Sequence, residues 1–348
     1  MDKKISWRTF FNAIVVLLTV IMVGYFCFSD GGLIDLMNSN SSINIFWLCV
    51  AILSQFLNIF MDVVLIYIFI KESTPRFKFS NAFRVSMAGQ FFCAVTPSST
   101  GGQPMQIAML NTMNINIGKA TSALVQKFLV WELVLMAYSI MAVCLKFSFI
   151  SASMGSGVVV LSAIGFLVQI ALCSVLLMVS FAKKITQKIV NFAFRLIDKI
   201  HIIKNTEEKK QALENQLETF HSSNKELYKN RPLVIKAVVL TFIQISAYLI
   251  VPYFVGRALN INSASPVDML FVQAFVNMIS SLMPLPGGSG VAEFCFTAFF
   301  SGYFSTSTIK SAVLIWRTIT YYGTIFFCAP FSGMSRKKDF ENTQDARQ

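Results

Sequence analysis

Charged residues are scarce in this chain: Asp, Glu, Lys and Arg together make up 13% of its 348 residues. An average soluble domain carries about 25% of them, so the scarcity excludes an ordinary soluble protein with a charged surface. Histidine is scarcer still, with His201 and His221 far apart, and the seven cysteines show no Cys-x-x-Cys spacing. These two absences argue against a zinc site and against a disulfide framework. We therefore predict buried structural thiols, no metal and no cofactor.

Hydrophobic residues are abundant: they make up 55% of the chain, and phenylalanine alone accounts for 34 residues. A helix needs about 20 mostly apolar residues to span a bilayer. Six such runs predict an all-α, polytopic integral membrane protein with spans over residues 10–28, 44–70, 120–146, 156–182, 233–256 and 308–331. No small-residue cleavage site follows the first run, so we interpret it as a retained helix and not as a signal peptide.

The formal net charge is +12, and the cations cluster at the ends of the predicted spans. Lys and Arg collect in cytoplasmic loops, and six spans put every basic cluster on one side: the N-terminus, 71–84, 183–231 and 336–338. The loops 29–43 and 147–155 carry no Lys or Arg and then lie on the other side. We expect both termini in the cytoplasm. Because the cations flank spans, they indicate contact with anionic lipid head groups and no nucleic-acid partner.

Glycine and proline interrupt two further apolar stretches. The first contains PSSTGGQPMQ, from Pro97 to Gln106, and the second contains PLPGGSGVAE, from Pro284 to Glu293. Their apolar halves are about 10–17 residues long, too short to cross a bilayer singly, so we predict two re-entrant broken-helix hairpins, over 80–118 and 264–304. The alternation of spans puts them on opposite faces of the membrane. Such hairpins form an inverted repeat, a transporter architecture whose substrate site lies where the hairpins meet.

Each break frees backbone N–H groups and begins a new helix, whose positive dipole end favours an anion such as a phosphate. We predict capping by Thr100 with Gln103, and by Ser289 ahead of Glu293. The alternative is that the glycine pairs only allow close helix packing. The residues expected to bind a lipid head group at the breaks are Pro97, Gly101, Gly102, Gln106, Pro284, Pro286, Gly287, Gly288 and Gly290.

A weak internal similarity supports the repeat. Gln90 precedes Pro97 by seven residues, and Asn277 precedes Pro284 by seven residues. This spacing aligns Pro97 with Pro284 and makes Gln90 and Asn277 supporting polar residues. Chance similarity between two apolar hairpins is the alternative.

A lone cation follows each hairpin, Lys127 after the first and Arg317 after the second. A charge at the bilayer centre costs about 2.5–3.5 kcal/mol on insertion scales, so it normally has a partner or a function. We predict that both cations hold a lipid phosphate and that Glu293 balances charge, pairs with Arg317 or carries a proton. The alternatives are that both cations extend to the membrane surface and that Glu293 interacts with its helix dipole.

Two other acidic residues lie within the apolar runs, Asp62 and Glu132, and we predict that each pairs with a cation. Asp62 ends a polar stripe with Gln55 and Asn58, spaced so that all three share one helix face. That face is therefore expected to contact protein or water and not lipid.

Residues 183–231 form a polar interval between two membrane halves, 1–182 and 232–335. Apolar residues at helical spacing from Ile185 to Ile200 predict an interfacial amphipathic helix, and a second helix is expected around Leu213, Leu217 and Phe220. The alternative is a solvated connector. Residues 336–348 are predicted to be a basic and polar cytosolic tail.

The motifs TPSSTGGQP and PLPGGSGVAE, with WRTITYY from Trp316 to Tyr322, resemble the lysylphosphatidylglycerol synthase transmembrane region, also called the flippase-like domain. Nearly the whole chain is similar to the N-terminal membrane half of the multiple peptide resistance factor. Where many relatives carry Glu-Arg and a nearby Asp, this chain has Gln126, Lys127 and Val130, so the cation is kept and its charge partners differ. The family's motif residues match Pro97, Gly101, Gly102, Pro104, Pro284, Pro286, Gly287, Gly288, Gly290, Glu293 and Arg317.

The resemblance implies a lipid translocase of the bacterial inner membrane. Bifunctional members move lysyl-phosphatidylglycerol to the outer leaflet after a separate cytosolic domain makes it from lysyl-tRNA and phosphatidylglycerol. This chain ends at Gln348 soon after its last span. We therefore expect the synthase chemistry to be absent unless another chain supplies it.

The sequence thus predicts translocation of an anionic or aminoacylated phospholipid, or of a glycolipid, with Glu293 balancing charge or contacting a cationic lysyl group. One alternative is a transferase of the phosphatidylglycerol lysyltransferase type, with Glu293 or Asp62 as base. Another is a non-catalytic scaffold for envelope-lipid synthesis that docks through 183–231. The partners that these interpretations allow are membrane lipids, a separate synthase chain and further copies of this chain.

Overall fold

The computed structural model describes residues 43–153, 156–184, 186–187, 206–306 and 308–333. Within these ranges the chain forms helices joined by short turns and contains no β-strand, which confirms the all-α prediction. Four predicted features lie wholly or mainly outside the described residues: the span 10–28, the loop after it, the helix from Ile185 to Ile200 and the tail 336–348.

We number the α-helices in chain order. Short 3-10 turns occur at Pro97–Ser99, Pro286–Gly288 and Ala329–Phe331, and a π-helical turn, Thr318–Tyr322, joins the last two α-helices. The helices are α1 Ile45–Ser73, α2 Phe79–Val95, α3 Gly102–Thr112, α4 Ile117–Ser153, α5 Ser156–Phe181, α6 Thr206–Lys229, α7 Arg231–Leu249, α8 Val251–Ala258, α9 Pro266–Ser280, α10 Val291–Phe300, α11 Ile309–Arg317 and α12 Gly323–Cys328.

Five described segments are long and apolar enough to cross a bilayer, and they match the second to sixth predicted spans. The chain is therefore a polytopic membrane protein. Helices α7 and α8 act together as one of these segments, and α11 with α12 as another. The segments are Ile45–Ser73, Ile117–Leu145, Val160–Phe181, Arg231–Ala258 and Ile309–Phe331.

Helix α1 lies antiparallel to α7 and α8 along its whole length. At its start, the Asn44 backbone N–H donates to the Ala258 carbonyl at 2.8 Å. At its other end, the Asn230 side chain donates to Glu72 at 2.6 Å. Twenty-nine helical residues extend about 43 Å at 1.5 Å per residue. These contacts define two ends of the molecule, which we call the Asn44 end and the Ser73 end.

The first hairpin consists of α2, a break at residues 96–101 and α3. Its base lies at the Ser73 end, because Thr74 and Arg76 before α2 share one surface depression with Asn114 and Asn116 after α3. Helix α2 packs along α3. The chain therefore enters and leaves this hairpin at the same end, as predicted for a re-entrant segment.

The second hairpin consists of α9, a break at residues 281–290 and α10, and its base lies at the Asn44 end. There Gly256 in α8 faces Met269 near the start of α9 and Phe304 just after α10, with the nearest atoms 3.6 and 3.4 Å from an added Cβ. The tips of the two hairpins contact each other. Two hairpins that start from opposite ends and meet at their tips form the predicted inverted repeat.

The two breaks contain the same backbone turn, but not in the predicted register. Pro97 and Pro286 begin the equivalent 3-10 turns, and the next residues, Ser98 and Gly287, have φ/ψ angles of 50/26° and 59/15°. In each turn the residue three positions after the proline donates its hydroxyl hydrogen back to that proline's carbonyl. Thr100 donates to Pro97, and Ser289 donates to Pro286. The alignment of Pro97 with Pro284 is therefore wrong by two residues, since side-chain spacing does not report the turn.

Helix α6, in the polar interval, packs against α4. Gln216 accepts from the Gly118 backbone N–H at 2.9 Å, and the Gln126 amide donates to the Asn224 side chain at 2.7 Å. Asn224 also donates to the Ser180 carbonyl in α5 at 2.6 Å. The helix expected around Leu213 to Phe220 is thus present, and its C-terminal half is held against both α4 and α5.

Aromatic residues pack the second hairpin against the last span. The Phe296 ring in α10 stacks on Trp316 in α11 with 4.8 Å between ring centroids, and on Phe300 with 4.4 Å. All three side chains are buried. Such ring pairs each contribute about 0.5–1.5 kcal/mol beyond the burial of their area. This packing places Arg317, the next residue after Trp316, beside the second break.

Candidate functional site

A cavity of about 390 Å³ with many polar side chains in its wall lies where the hairpin tips meet. Its size falls within the range of small-molecule sites, about 300–1,000 Å³. Two charged residues line it, Asp62 and Lys127, and six hydroxyl-bearing residues do so as well: Ser98, Ser99, Tyr248, Thr320, Tyr321 and Thr324. The largest polar group in the wall consists of seven carboxamides: Gln55, Asn58, Gln90, Gln103, Gln106, Gln244 and Asn277.

The two charges in the cavity wall form an ion pair. Lys127 of α4 donates to Oδ1 of Asp62 in α1, and Ser86 of α2 donates to Oδ2 of the same carboxylate at 2.5 Å. The Lys127 and Asp62 side chains are 15% and 8% exposed, so the pair is shielded from bulk solvent. The prediction that Asp62 partners a cation is confirmed, and Lys127 is held inside the molecule instead of extending to its surface.

The polar stripe of α1 faces the cavity, as predicted. The Gln55 amide donates to the Thr324 hydroxyl at 2.9 Å, and its carbonyl oxygen accepts from Asn58 at 3.4 Å. The Asn58 Oδ1 atom is buried and has no hydrogen-bond partner among the described residues. The stripe therefore links the first and last described spans while leaving one acceptor unused.

Helices α7 and α9 supply a further part of the wall. The Tyr248 hydroxyl lies 3.5 Å from Oδ1 of Asn277, which brings this predicted polar residue into the cavity. Gln244, one turn before Tyr248, is 2% exposed, and its Oε1 atom has no hydrogen-bond partner in the described part of the chain. Sequence reasoning missed Gln244 and Tyr248, although their i, i+4 spacing in an apolar helix marks a shared polar face.

Arg317 holds the second break in place. Its Nε donates to Glu293 at 2.7 Å, and its Nη1 donates to the Gly287 carbonyl at 3.1 Å. The guanidinium also lies over the rings of Trp316 and Tyr321, 5.0 and 5.2 Å from their centroids. Of the alternatives left open for Glu293, the pairing with Arg317 is present, and Glu293 also accepts from the Gly290 N–H at the start of its helix. Neither Glu293 nor Arg317 lines the cavity.

Several backbone donors of the breaks already have partners. The Gly101 N–H donates to the Thr96 hydroxyl at 2.9 Å, the Gly288 N–H to the Leu285 carbonyl at 2.9 Å, and the Gly290 N–H to Glu293 at 2.6 Å. Both predicted caps are wrong in the residue that they name. Helix α3 starts after Gly101 without a side-chain cap, and α10 starts after Gly290, whose N–H is capped by Glu293.

Gly287 allows the last span to close against the second break. A Cβ atom at this position would lie 2.2 Å from the Tyr321 ring, and φ is +59°. Tyr321 stands in the π-helical turn, a local widening that occurs often at functional sites. Its hydroxyl donates to the Ala94 carbonyl at 3.0 Å. The turn thus places the Tyr321 side chain in contact with the tips of both hairpins.

The family model for the lysylphosphatidylglycerol synthase transmembrane region matches residues 12–328. The chain belongs to this family. A UPF0104 membrane protein from Archaeoglobus fulgidus is 26% identical over 268 residues, which cover 73% of this chain and 76% of that protein. The resemblance seen in the motifs is therefore confirmed, and with it the assignment to a multi-pass membrane protein family.

Some of the predicted site residues line the cavity, and the others do not. Of the predicted site residues, the cavity wall includes Asn58, Asp62, Gln90, Gln106, Lys127, Asn277 and Gly287. The others form the breaks or lie behind the wall: Pro97, Gly101, Gly102, Pro284, Pro286, Gly288, Gly290, Glu293, Arg317 and Glu132. Glu132 is buried, and no described cation lies within 4 Å of its carboxylate.

Some residues in the wall or directly behind it carry no signal that single-sequence reasoning detects. Gly89 of α2 has a mid-helix position, yet a Cβ there would lie 2.0 Å from Nε2 of Gln106 in α3. Ser86 is fully buried beside Asp62. Only the packing of α2 between α1 and α3 shows that a small residue is needed at one position and a hydroxyl at the other.

Proposed function

We propose that this family member translocates a phospholipid with an anionic or aminoacylated head group between the leaflets of a bacterial cell membrane. The observation that carries the proposal is the position of Lys127. Lys127 lines the cavity at the meeting point of two hairpins that start from opposite ends of the molecule. A head group crossing a bilayer needs such a place, because a charge in hydrocarbon without a partner is costly.

The Asp62 carboxylate supports an exchange of partners at Lys127. In the absence of substrate it neutralises the buried ammonium group. A lipid phosphate entering the cavity would take over one or two of the three ammonium hydrogens, while Ser86 continues to donate to Asp62. The cavity then never contains an unpaired cation, so a phosphate can arrive and leave without a large change in electrostatic free energy.

The proposed orientation puts the Ser73 end in the cytoplasm. Lys71, Arg76 and Lys78 lie at or just beyond the end of α1, and Arg231 begins α7 beside Glu72. Basic residues next to spans favour the cytoplasmic side. In this orientation the first hairpin enters from the cytoplasm and the second from outside, with both chain termini cytoplasmic.

Reconstitution tests the proposal. Purified protein in liposomes should accelerate the movement of fluorescent phosphatidylglycerol from the inner to the outer leaflet, measured by quenching with an impermeant reductant. Lys127→Gln should reduce this rate at least tenfold. Lys236→Gln is the matched control, because Lys236 is exposed on α7 and does not line the cavity. A rate no faster than in protein-free liposomes for every anionic lipid tested would refute the proposed function.

A further inference from the structure

We infer that the head group carried by this cavity has no charge besides its phosphate and is rich in hydroxyl groups, as a glycerol or a sugar is. The inference rests on the proposed function and narrows its substrate class. It excludes the aminoacylated head groups that the proposed function still includes. Three features of the described wall lead to it: its carboxylates, its carboxamides and its unused acceptors.

The carboxylates nearest the cavity are already engaged on both oxygens. Asp62 accepts from Lys127 on one oxygen and from Ser86 on the other. Glu293, behind the wall, accepts from Arg317 on one oxygen and from the Gly290 N–H on the other. An ammonium group on the substrate would need a carboxylate partner, and the described lining provides none that is unoccupied.

The carboxamides suit a neutral polyol. Each amide offers two hydrogens and a carbonyl oxygen, and each hydroxyl group both donates and accepts, so amides and polyols satisfy one another without charge. The seven carboxamides come from five separate helices, α1, α2, α3, α7 and α9, and surround the cavity on several sides. One cation and many neutral donors and acceptors match a single phosphate attached to several hydroxyl groups.

Two buried acceptors in this wall have no donor. The Asn58 Oδ1 and Gln244 Oε1 atoms are both inaccessible and lack a hydrogen-bond partner among the described residues. Asn58 and Gln244 are 6% and 2% exposed. A buried acceptor is unfavourable unless something donates to it, and a hydroxyl group supplies such a hydrogen. Asn58 and Gln244 line the cavity, so we assign both amide groups to the polyol part of the head group, on the condition that a small side-chain rotation turns each acceptor toward the cavity.

Binding to the purified full-length protein tests the inference. Phosphatidylglycerol, phosphatidylinositol, phosphatidic acid and lysyl-phosphatidylglycerol with identical acyl chains are titrated in detergent, and dissociation constants are measured by native mass spectrometry. We expect the first two lipids to bind at least tenfold more tightly than the last two. Equal or tighter binding of lysyl-phosphatidylglycerol or phosphatidic acid overturns the inference, and so does the absence of binding by all four.

Single substitutions test which side chains produce the preference for a hydroxyl-rich head group. Gln244→Leu and Asn58→Leu should each weaken phosphatidylglycerol binding about three- to tenfold, the value of one hydrogen bond, and leave phosphatidic acid unchanged. Gln169→Leu is the control, because Gln169 is a buried amide on α5 that accepts from Ser139 and lies outside the cavity. If a variant does not fold, the lipid series on the unsubstituted protein still decides the question.

Two further arms separate this inference from the proposed function. Soluble glycerol 3-phosphate that binds as tightly as phosphatidylglycerol would support the head-group chemistry but contradict a lipid source for it. A preserved binding preference with no lipid movement in liposomes would keep the head-group assignment and refute translocation. Movement of lysyl-phosphatidylglycerol as fast as phosphatidylglycerol would refute the assignment and leave translocation standing.

Discussion

The Tyr321 hydroxyl donates a hydrogen bond of 3.0 Å to the Ala94 carbonyl, which joins the last described span to the tip of the first hairpin. The two residues are 227 positions apart in the chain. Tyr321 also packs against Gly287 in the second break. One side chain thus contacts both hairpin tips and forms part of the cavity wall between them. A step that separates the tips must break either this bond or the contact between Tyr321 and Gly287.

Removing the hydroxyl should therefore ease separation of the tips. We expect Tyr321→Phe to accelerate lipid movement in liposomes about three- to tenfold, because one intramolecular hydrogen bond contributes about 0.5–1.5 kcal/mol. Tyr253→Phe, in a tyrosine that packs against Trp47 at the Asn44 end, should leave the rate unchanged. A slower Tyr321→Phe protein would indicate that the bond is needed in the transport cycle itself.

The pair between Asp62 and Lys127 should show strong coupling in stability. Asp62→Asn or Lys127→Met alone leaves one buried charge without its partner, which costs about 3–5 kcal/mol in buried pairs. The double variant removes both charges and should be more stable than either single variant. Reversible unfolding in mixed detergent micelles measures this cycle. Losses that simply add in the double variant would show that the two charges do not interact.

The close contact between Gly287 and Tyr321 predicts a specific incompatibility. Gly287→Ala places a Cβ 2.2 Å from the Tyr321 ring and should cost about 1–3 kcal/mol through overpacking, in addition to the strain of a positive φ. In a protein that already carries Tyr321→Ala, the stability loss caused by Gly287→Ala should be smaller, because the overpacking contribution is gone. The same unfolding measurement gives the effect of Gly287→Ala with Tyr321 present and with Tyr321 replaced by alanine. An equal effect in both proteins would contradict this contact.

The equivalent turn in the first break predicts the opposite effect. Ser98 and Ser99 have φ angles of +50° and +55°, a conformation that costs non-glycine residues about 1–2 kcal/mol and glycine almost nothing. Ser98→Gly should therefore stabilise the protein by about 1 kcal/mol or less, because glycine also has more freedom in the unfolded chain. Ser98→Ala keeps the strain and serves as the control. Destabilisation by Ser98→Gly would contradict the shared turn.

The bases of the two hairpins lie at opposite ends of the molecule, so cysteines placed at these bases should be labelled from opposite sides of the membrane. In a variant whose native cysteines are replaced, Lys119→Cys lies beside the base of the first hairpin and Ser301→Cys at the base of the second, and both positions are exposed. A membrane-impermeant maleimide should react with Ser301→Cys in intact spheroplasts and with Lys119→Cys in inverted vesicles. Labelling of both positions from one side would rule out the inverted repeat in the membrane.

Much of the fold follows from local sequence. Apolar runs placed five described spans to within a few residues, since a bilayer selects for length and hydrophobicity. Glycine and proline located both breaks, because they disrupt helices wherever they occur. The polar stripe of Gln55, Asn58 and Asp62 was predicted from spacing along one helix and does face the cavity. Its neighbours on other helices could not be predicted in this way.

The register of the repeat shows where such reasoning fails. The two glycine pairs have similar sequence surroundings. In conformation, however, Gly287 and Gly288 correspond to Ser98 and Ser99 and not to Gly101 and Gly102. A serine can adopt a left-handed conformation at a moderate cost, so residue type alone does not identify the turn. The contacts of Arg317 with Glu293 and Gly287 could not be assigned from spacing either, and its predicted role in holding substrate stays a prediction.

The sequence by itself determined that this protein is a helical membrane protein with two broken hairpins and a few intramembrane charges, because hydrophobicity and helix breaking act over short stretches of chain. Tertiary structure decided which charges pair and which side chains line the cavity. Asp62 and Lys127 are 65 residues apart, and Gln55 and Thr324 are 269 apart. Such contacts depend on how each helix is rotated and where it crosses its neighbours, and short-range spacing does not specify either.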